Sequence, residues 1–377
     1  MVWSAVALVS SSACIVVEVE ERSDTGLVPS TPVDVTAGAP VDVLAEAEPT
    51  FDTAVDSAEP PVDTGPVRRP PPRRLDVQAL GTLAHTEVEV RLAGELGVAW
   101  LRPHPGPFSW AWFQPAPGQW DWRLVDAWVQ LGQEAGVNLV GTLWPYADWD
   151  QAVCRPASCT VGPSDAFAPM PGTAPSAGVV PASRCMPCDI DAWAGAVSAL
   201  VERYDGDGLD DASWLETPVT AWEVLNEPEL ASDELTFFVG SASEYAQLLE
   251  ATTSAVHAAC PGCEVLHGGS AGAEQSDAWW SEVYTSQGGA DFNIANVHYI
   301  DGGDVDTLNV SSIGALLEEA ELERPIWVTE ASVPTHQDPA SLLQHAVEAG
   351  ASKIFVTDLA VAEAVLVALA LDGKPGY

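Results

Sequence analysis

Two glutamates stand at the ends of apolar, strand-like runs of the sequence. Glu227 follows Asn226 in "TAWEVLNEPEL" at 220–230, and Glu330 follows the apolar start of "IWVTEAS" at 326–332. Two carboxyl groups that face each other across a cleft are suited to glycoside hydrolysis. One carboxyl protonates the leaving oxygen, and the other attacks the anomeric carbon or activates water. Whether Glu227 and Glu330 can meet depends on the elements that carry them.

The chain from residue 76 onward alternates β-rich runs with helical patterns, as repeated βα units do. Eight runs read as strands, at 77–83, 98–102, 137–144, 219–226, 264–269, 292–299, 325–331 and 353–359. Helical patterns lie between them, for example at 87–96, 124–135, 192–204, 243–259 and 341–350. This order and length predict a (β/α)₈ TIM barrel over 76–377, in which the carboxyl ends of all strands open on one face. The last helix is expected to be short or displaced.

The segments "WEVLNEPE" and "WVTEAS" resemble clan A of the retaining glycoside hydrolases, which are (β/α)₈ enzymes. The resemblance implies that Glu227 is the general acid/base and Glu330 the nucleophile. It further implies supporting roles for four residues. These are Asn226 as the ligand of the sugar 2-hydroxyl, Arg102 as the group that keeps the nucleophile ionised, and His298 and Tyr299 as the pair beside the nucleophile.

Two more residues stand where a substrate would be held. Trp144 comes directly after the third strand, where an aromatic ring could stack on a sugar. Asp358 follows the eighth strand, where many members of the clan carry a tryptophan. Its carboxylate suits either sugar hydroxyls or the cap of the following helix, and the sequence leaves both open.

Six cysteines lie in the predicted barrel, at 154, 159, 185, 188, 260 and 263. An even number in an exported chain favours disulfides, although the pairing does not follow from the sequence. Cys154, Cys159, Cys185 and Cys188 could alternatively hold a structural zinc ion.

The first 75 residues differ from the rest in composition. Residues 1–14 contain no charged side chain and predict an export signal. The end of that stretch resembles a lipoprotein cleavage site, with Cys14 as the residue that would be lipidated. Residues 15–75 are rich in proline and acidic residues, and they predict a disordered linker between an anchor and the barrel.

The charge of the whole chain narrows the class of partner. The 377 residues include 55 acidic and 14 basic side chains, for a formal net charge of −41. Such a field repels phosphate backbones and anionic lipid, so nucleic acid is not expected as a partner. A neutral carbohydrate fits, with membrane contact only through Cys14.

The sequence therefore predicts an exported, monomeric, retaining β-glycoside hydrolase that needs no metal or cofactor. The alternative is a barrel that binds carbohydrate without turning it over. The sequence does not disclose which sugar or linkage is recognised, or whether action is endo or exo.

Overall fold

The computed structural model describes residues 73–154, 157–161, 180–231, 235–272, 276–300 and 302–372. The predicted export signal at 1–14, Cys14, and the predicted linker up to residue 72 lie outside these ranges. Within the described ranges, none of the helices combines the length and apolar character required to cross a bilayer.

Eight parallel strands form one sheet that curves into a barrel. They are β1 (Leu80–Ala84), β2 (Trp100–Pro103), β3 (Asn138–Leu143), β4 (Ala221–Asn226), β5 (Glu264–Gly269), β6 (Ala295–Tyr299), β7 (Ile326–Ala331) and β8 (Ala351–Val356). Neighbouring strands pair in the order β5-β4-β3-β2-β1-β8-β7-β6. Isolated bridges from Leu266 to Ile294 and from Ser270 to Val297 join β5 to β6 and close the barrel.

Ten helices connect or flank the strands in the described ranges. They are α1 (Glu87–Leu96), α2 (Trp110–Phe113), α3 (Arg123–Ala135), α4 (Asp148–Cys154), α5 (Ile190–Glu202), α6 (Ala242–Ala259), α7 (Ser276–Thr285), α8 (Val310–Glu319), α9 (Pro339–Ala349) and α10 (Leu359–Asp372). Local sequence sets several of their ends. Thr86 and Ser241 begin α1 and α6 with capping boxes, and left-handed glycines end α1 and α3.

The structure confirms the predicted barrel and all eight predicted strands. Only the fifth strand has the predicted bounds, and the others differ by one to three residues at one or both ends. The first strand begins at Leu80, because Val77–Ala79 form a 3₁₀ turn whose N-cap is Asp76. The eighth strand covers Ala351–Val356 and so starts and ends earlier than the predicted 353–359. The expectation of a short or displaced last helix is wrong, since α10 has 14 residues and contacts β1 and α1.

An apolar layer made by the strands themselves fills one end of the barrel. It contains Leu83, Val140, Ala221, Leu266, Ile294, Trp327 and Phe355. Side chains two residues apart along a strand point to the same side, so the next layer toward the carboxyl ends comes from positions two residues later. That layer is polar, and it forms the floor of the candidate site.

The six cysteines of the barrel form three disulfides. Cys154 pairs with Cys188, Cys159 with Cys185, and Cys260 with Cys263. The first two bridges join the two described ends of the loop that follows β3, and the third links residues at the turn between α6 and β5. The predicted disulfides are thus present, and the zinc alternative for the first four cysteines is not what the structure has.

Candidate active site

A local departure from strand geometry near the end of β4 lets Glu223, Asn226 and Glu227 all face the candidate site. Glu223 and Asn226 both reach Arg102, although a spacing of three would place them on opposite sides of a regular strand. Leu225 lies between them with a φ of 68°, and Glu227 follows with a φ of 38°. This left-handed backbone breaks the alternation, so that Asn226 and Glu227 both face the barrel mouth.

Arg102, at the end of β2, is fully buried and organises one half of the site. Its Nε donates to Glu223 at 2.7 Å and its Nη1 to Glu330 at 2.6 Å. Its Nη2 donates to Asn226 Oδ1 at 2.8 Å. Because Arg102 has only donors, Nη1 also fixes the neighbouring His104 Nδ1, 3.1 Å away, as an acceptor.

The surroundings of Glu330 keep its carboxyl ionised. Burial alone would raise the pKa of Glu330, yet its cationic neighbours outweigh burial and lower the pKa to about 2. Burial lowers the pKa of His104 to about 3, so His104 is neutral near pH 7. We therefore attribute the low pKa of Glu330 to His298 and Arg102. An ionised carboxylate is the form that a nucleophile requires.

His298, on β6, stands between the two glutamates. Its Nδ1 lies 3.0 Å from Glu227 Oε1 and 3.9 Å from Glu330 Oε1, so these two oxygens are at most about 7 Å apart. Burial would lower the pKa of His298, but the charge of Glu330 and the contacts with Glu227 raise it overall. Gly269 makes room for the ring, since a Cβ there would lie 1.9 Å from Nε2.

Sequence reasoning missed the polar layer beneath these groups. Glu223, Thr142, Asn296 and Thr329 are all buried, and each of the last three places a donor group within 3.0 Å of the Glu223 carboxylate. Their signal was present in the sequence, because each follows an inward apolar residue of its strand by two positions. His104, two residues after Arg102, was also missed, and only its contact with Arg102 identifies it.

The remaining predicted residues lie around this centre in different settings. Tyr299 packs within the main apolar core, next to Ala331 in the β6–β7 pairing. The Trp144 ring is buried and donates to Pro105 O at 2.8 Å, so as placed it has no exposed face for a sugar. Asp358 accepts the amide of Ala360 at 2.8 Å, in the manner of a cap for α10.

Two other features of the described chain lie away from the glutamate pair. Asp205, Asp207 and Asp211 are close enough together to hold a cation, and they lie in the loop between α5 and β4, at the opposite end of the barrel. An open groove of about 730 Å³ includes Arg324 and Ile326, at the start of β7. Neither contains a residue of the site described above.

Comparisons with known proteins agree with this architecture. No family model matches the chain, and no curated protein matches it by sequence. Among solved structures, a monomeric β-xylosidase from Caulobacter crescentus CB15 is 17% identical, with a TM-score of 0.52, over 77% of this chain and 62% of that one. A glucosidase from Croceicoccus marinus is 15% identical, with a TM-score of 0.51, over 74% of this chain and 60% of that one.

The chain thus spans less than two thirds of the length of these structures. At such low identity, the likeness shows a shared fold. That fold is the eight-stranded (β/α)₈ barrel that the sequence predicts.

Proposed function

We propose that the chain is a retaining β-glycoside hydrolase that cleaves O-glycosidic bonds in a polysaccharide or its oligosaccharides. The observation that carries the proposal is the position of Glu227 and Glu330, at the ends of β4 and β7, where both carboxyl groups lie within 3.9 Å of His298 Nδ1. Their Oε1 atoms lie at most about 7 Å apart, a limit that includes the separation of about 5 to 5.5 Å typical of retaining enzymes. The resemblance to clan A, in which the mechanism is retaining, decides between the two classes.

The first step forms a covalent intermediate. Glu330 attacks the anomeric carbon with its ionised carboxylate, and the bond to the leaving oxygen breaks. The leaving oxygen takes its proton from Glu227, which shares a short contact with His298 Nδ1. The transition state resembles an oxocarbenium ion, and the anionic Glu330 stabilises its positive charge.

The second step restores the free enzyme. Glu227, now deprotonated, takes a proton from water, and the oxygen of that water attacks the anomeric carbon and displaces Glu330. Two inversions at one carbon give net retention. Asn226 offers its amide nitrogen on the Glu227 side, since Arg102 occupies Oδ1, and this suits a bond to the sugar 2-hydroxyl.

We also propose that the protein is exported and works as a monomer, held at the cell surface if Cys14 is lipidated. Three disulfides support an oxidising compartment. One of the similar structures is described as monomeric. Labelling with a radioactive fatty acid in cells tests the anchor, because a Cys14→Ser variant should lose the label that the natural chain carries.

A substrate panel tests the proposed activity. The full chain is incubated with aryl β-glycosides and with β-glucan, mannan, xylan and galactan, and released reducing sugar is measured. We expect release from at least one member and none above background from Glu330→Ala. Glu264→Gln, at the exposed start of β5, is the control and should retain activity. Sugar binding without release by the natural chain would instead favour a binding-only barrel.

A further inference from the structure

The buried carboxylate of Glu223 faces hydrogen-bond donor groups from four strands. Arg102 Nε and Thr142 Oγ1 donate to its Oε2 at 2.7 and 2.6 Å. Asn296 Nδ2 donates to its Oε1 at 2.6 Å, and the Thr329 hydroxyl lies 3.0 Å from the same oxygen. An ionised carboxylate only accepts hydrogen bonds, so it dictates which atom each neighbour turns toward it. A carboxamide in the same place would face at least one of these donors with its own N–H groups.

One consequence concerns Glu330, the proposed nucleophile. With Nε held by Glu223, the planar guanidinium of Arg102 has a fixed direction for its other two nitrogens. Nη1 meets Glu330 and Nη2 meets Asn226 Oδ1. Glu223 therefore sets the direction of the cation that keeps Glu330 ionised.

A second consequence concerns Glu227, the proposed acid/base. It is transmitted through the Asn296 side-chain amide and the Thr329 hydroxyl. Asn296 must turn Nδ2 toward Glu223, which leaves its Oδ1 facing Thr329. The Thr329 amide N–H also points to that Oδ1, at 3.3 Å, in agreement with the orientation. The Thr329 hydroxyl thus has two acceptors within 3.0 Å, and it gives its single proton to one of them.

The Thr329 oxygen can then only accept from its third neighbour. That neighbour is His298 Nε2, 2.9 Å away, which must carry a proton. The other ring nitrogen, Nδ1, faces Glu227 Oε1 at 3.0 Å. The proton between Nδ1 and Oε1 is consequently the exchangeable one, and it lies at the oxygen that would protonate a leaving group.

We propose that Glu223 is a positioning residue that orders both halves of the site, acting on Glu330 through Arg102 and on Glu227 through Thr329 and His298. This inference deepens the proposed hydrolysis and rests on it for its kinetic consequences. Glu223 itself is buried beneath the site and touches no reacting atom. The hydrogen-bond order that it imposes is a property of the free protein and can be measured without a substrate.

The structural half of the test uses ¹⁵N signals of the His298 imidazole in the full chain, assigned by comparison with His298→Asn. In the natural protein and in Thr329→Ser, which keeps the hydroxyl, we expect Nε2 to carry the proton throughout the titration. In Thr329→Val, which has nearly the same shape without the hydroxyl, the neutral ring should shift toward the Nδ1-protonated form. An unprotonated Nε2 in the natural chain, or identical signals in Thr329→Val, would overturn the proposal.

The kinetic half compares good and poor leaving groups on the same sugar. Thr329→Val should lower kcat by about tenfold for poor leaving groups, with little change for activated aryl glycosides, because only the former need the acid. Glu223→Gln should lower kcat by about 100-fold for both, with KM within about threefold, because Arg102 also loses its direction. Glu264→Gln is the matched control, with the same change at an exposed strand start.

The two halves separate the possible failures. If the natural chain hydrolyses no glycoside, the proposed function is wrong, and the His298 signals alone decide the positioning role. If the natural chain is active and Glu223→Gln keeps its kcat, the positioning role is wrong while the function stands. If Glu223→Gln fails to fold, the comparison of Thr329→Val with Thr329→Ser still decides the positioning role, through the His298 signals and kcat.

Discussion

Replacing Arg102 with methionine should destabilise the barrel in a pH-dependent way. The guanidinium is fully buried and lies between two buried carboxylates, Glu223 and Glu330. Removing one partner of such a cluster leaves charge without compensation, which costs about 3 to 5 kcal/mol. A methionine fills similar space and makes no hydrogen bond, so the loss of stability measures the contribution of the buried charges.

The pH dependence follows from the pKa of Glu330, which folding lowers from 4.5 to about 2. A carboxyl with a lowered pKa stabilises the fold above its ordinary pKa, and this contribution is lost as the pH falls through the folded value. The pKa difference corresponds to about 3 kcal/mol at pH 7 and to about 1 kcal/mol at pH 3. His298 shares in lowering this pKa, so Arg102→Met removes only part of the effect. The difference in free energy of unfolding between the natural chain and Arg102→Met should therefore narrow between pH 7 and pH 3, by up to about 2 kcal/mol.

Urea unfolding at pH 3, 5 and 7 measures this gap, with unchanged disulfides in both proteins. Arg91→Met is the matched control, because Arg91 makes exposed ion pairs with Glu87 and Glu134 and should change the midpoint little. Equal stability of Arg102→Met and the natural chain at pH 7, or a loss that does not vary with pH, would refute this account of the network.

Three further predictions concern activity. Glu227→Ala should slow hydrolysis of glycosides with poor leaving groups by about 100-fold or more. Added azide should restore turnover of activated substrates and give the glycosyl azide as product. Absence of this rescue would argue against the acid/base role of Glu227. Gly269→Ala should lower kcat by about 100-fold by displacing His298, while Gly195→Ala, where an added Cβ meets nothing within 4 Å, should leave kcat unchanged. Because the pKa of Glu330 is about 2, kcat/KM should show no acidic limb near pH 4.5 in the range where the chain stays folded.

Much of the fold could be predicted from the sequence because the barrel rests on local patterns. Apolar runs, capping residues such as Thr86, and glycines such as Gly97 at helix ends mark the elements directly. The last helix was misjudged because α10 is apolar and alanine-rich, with a weak periodic signal. Its packing against α1 and β1 decides its length, and such tertiary contacts cannot be read from local pattern.

Only the residues of the candidate site that lie at the ends of the strands could be predicted from the sequence. Glu227 and Glu330 stand out because a carboxylate at the end of an apolar run is unusual. The inward position of Glu223 follows from the alternation of its strand, but its role depends on neighbours on four other strands, and the sequence does not give their register. Trp144 was expected at an open surface, yet its ring turns into the core, because strand position alone does not set side-chain direction beyond the strand.

The most direct test of the central claim traps the covalent intermediate. The full chain is mixed with the 2-deoxy-2-fluoro glycoside of whichever sugar the substrate panel identifies, and the labelled peptide is located by mass spectrometry. We expect one sugar per chain, attached to Glu330 and absent from Glu330→Ala. A label on another residue, or turnover of the natural substrate with inversion and no trapped intermediate, would contradict the assignment of Glu330 as the nucleophile.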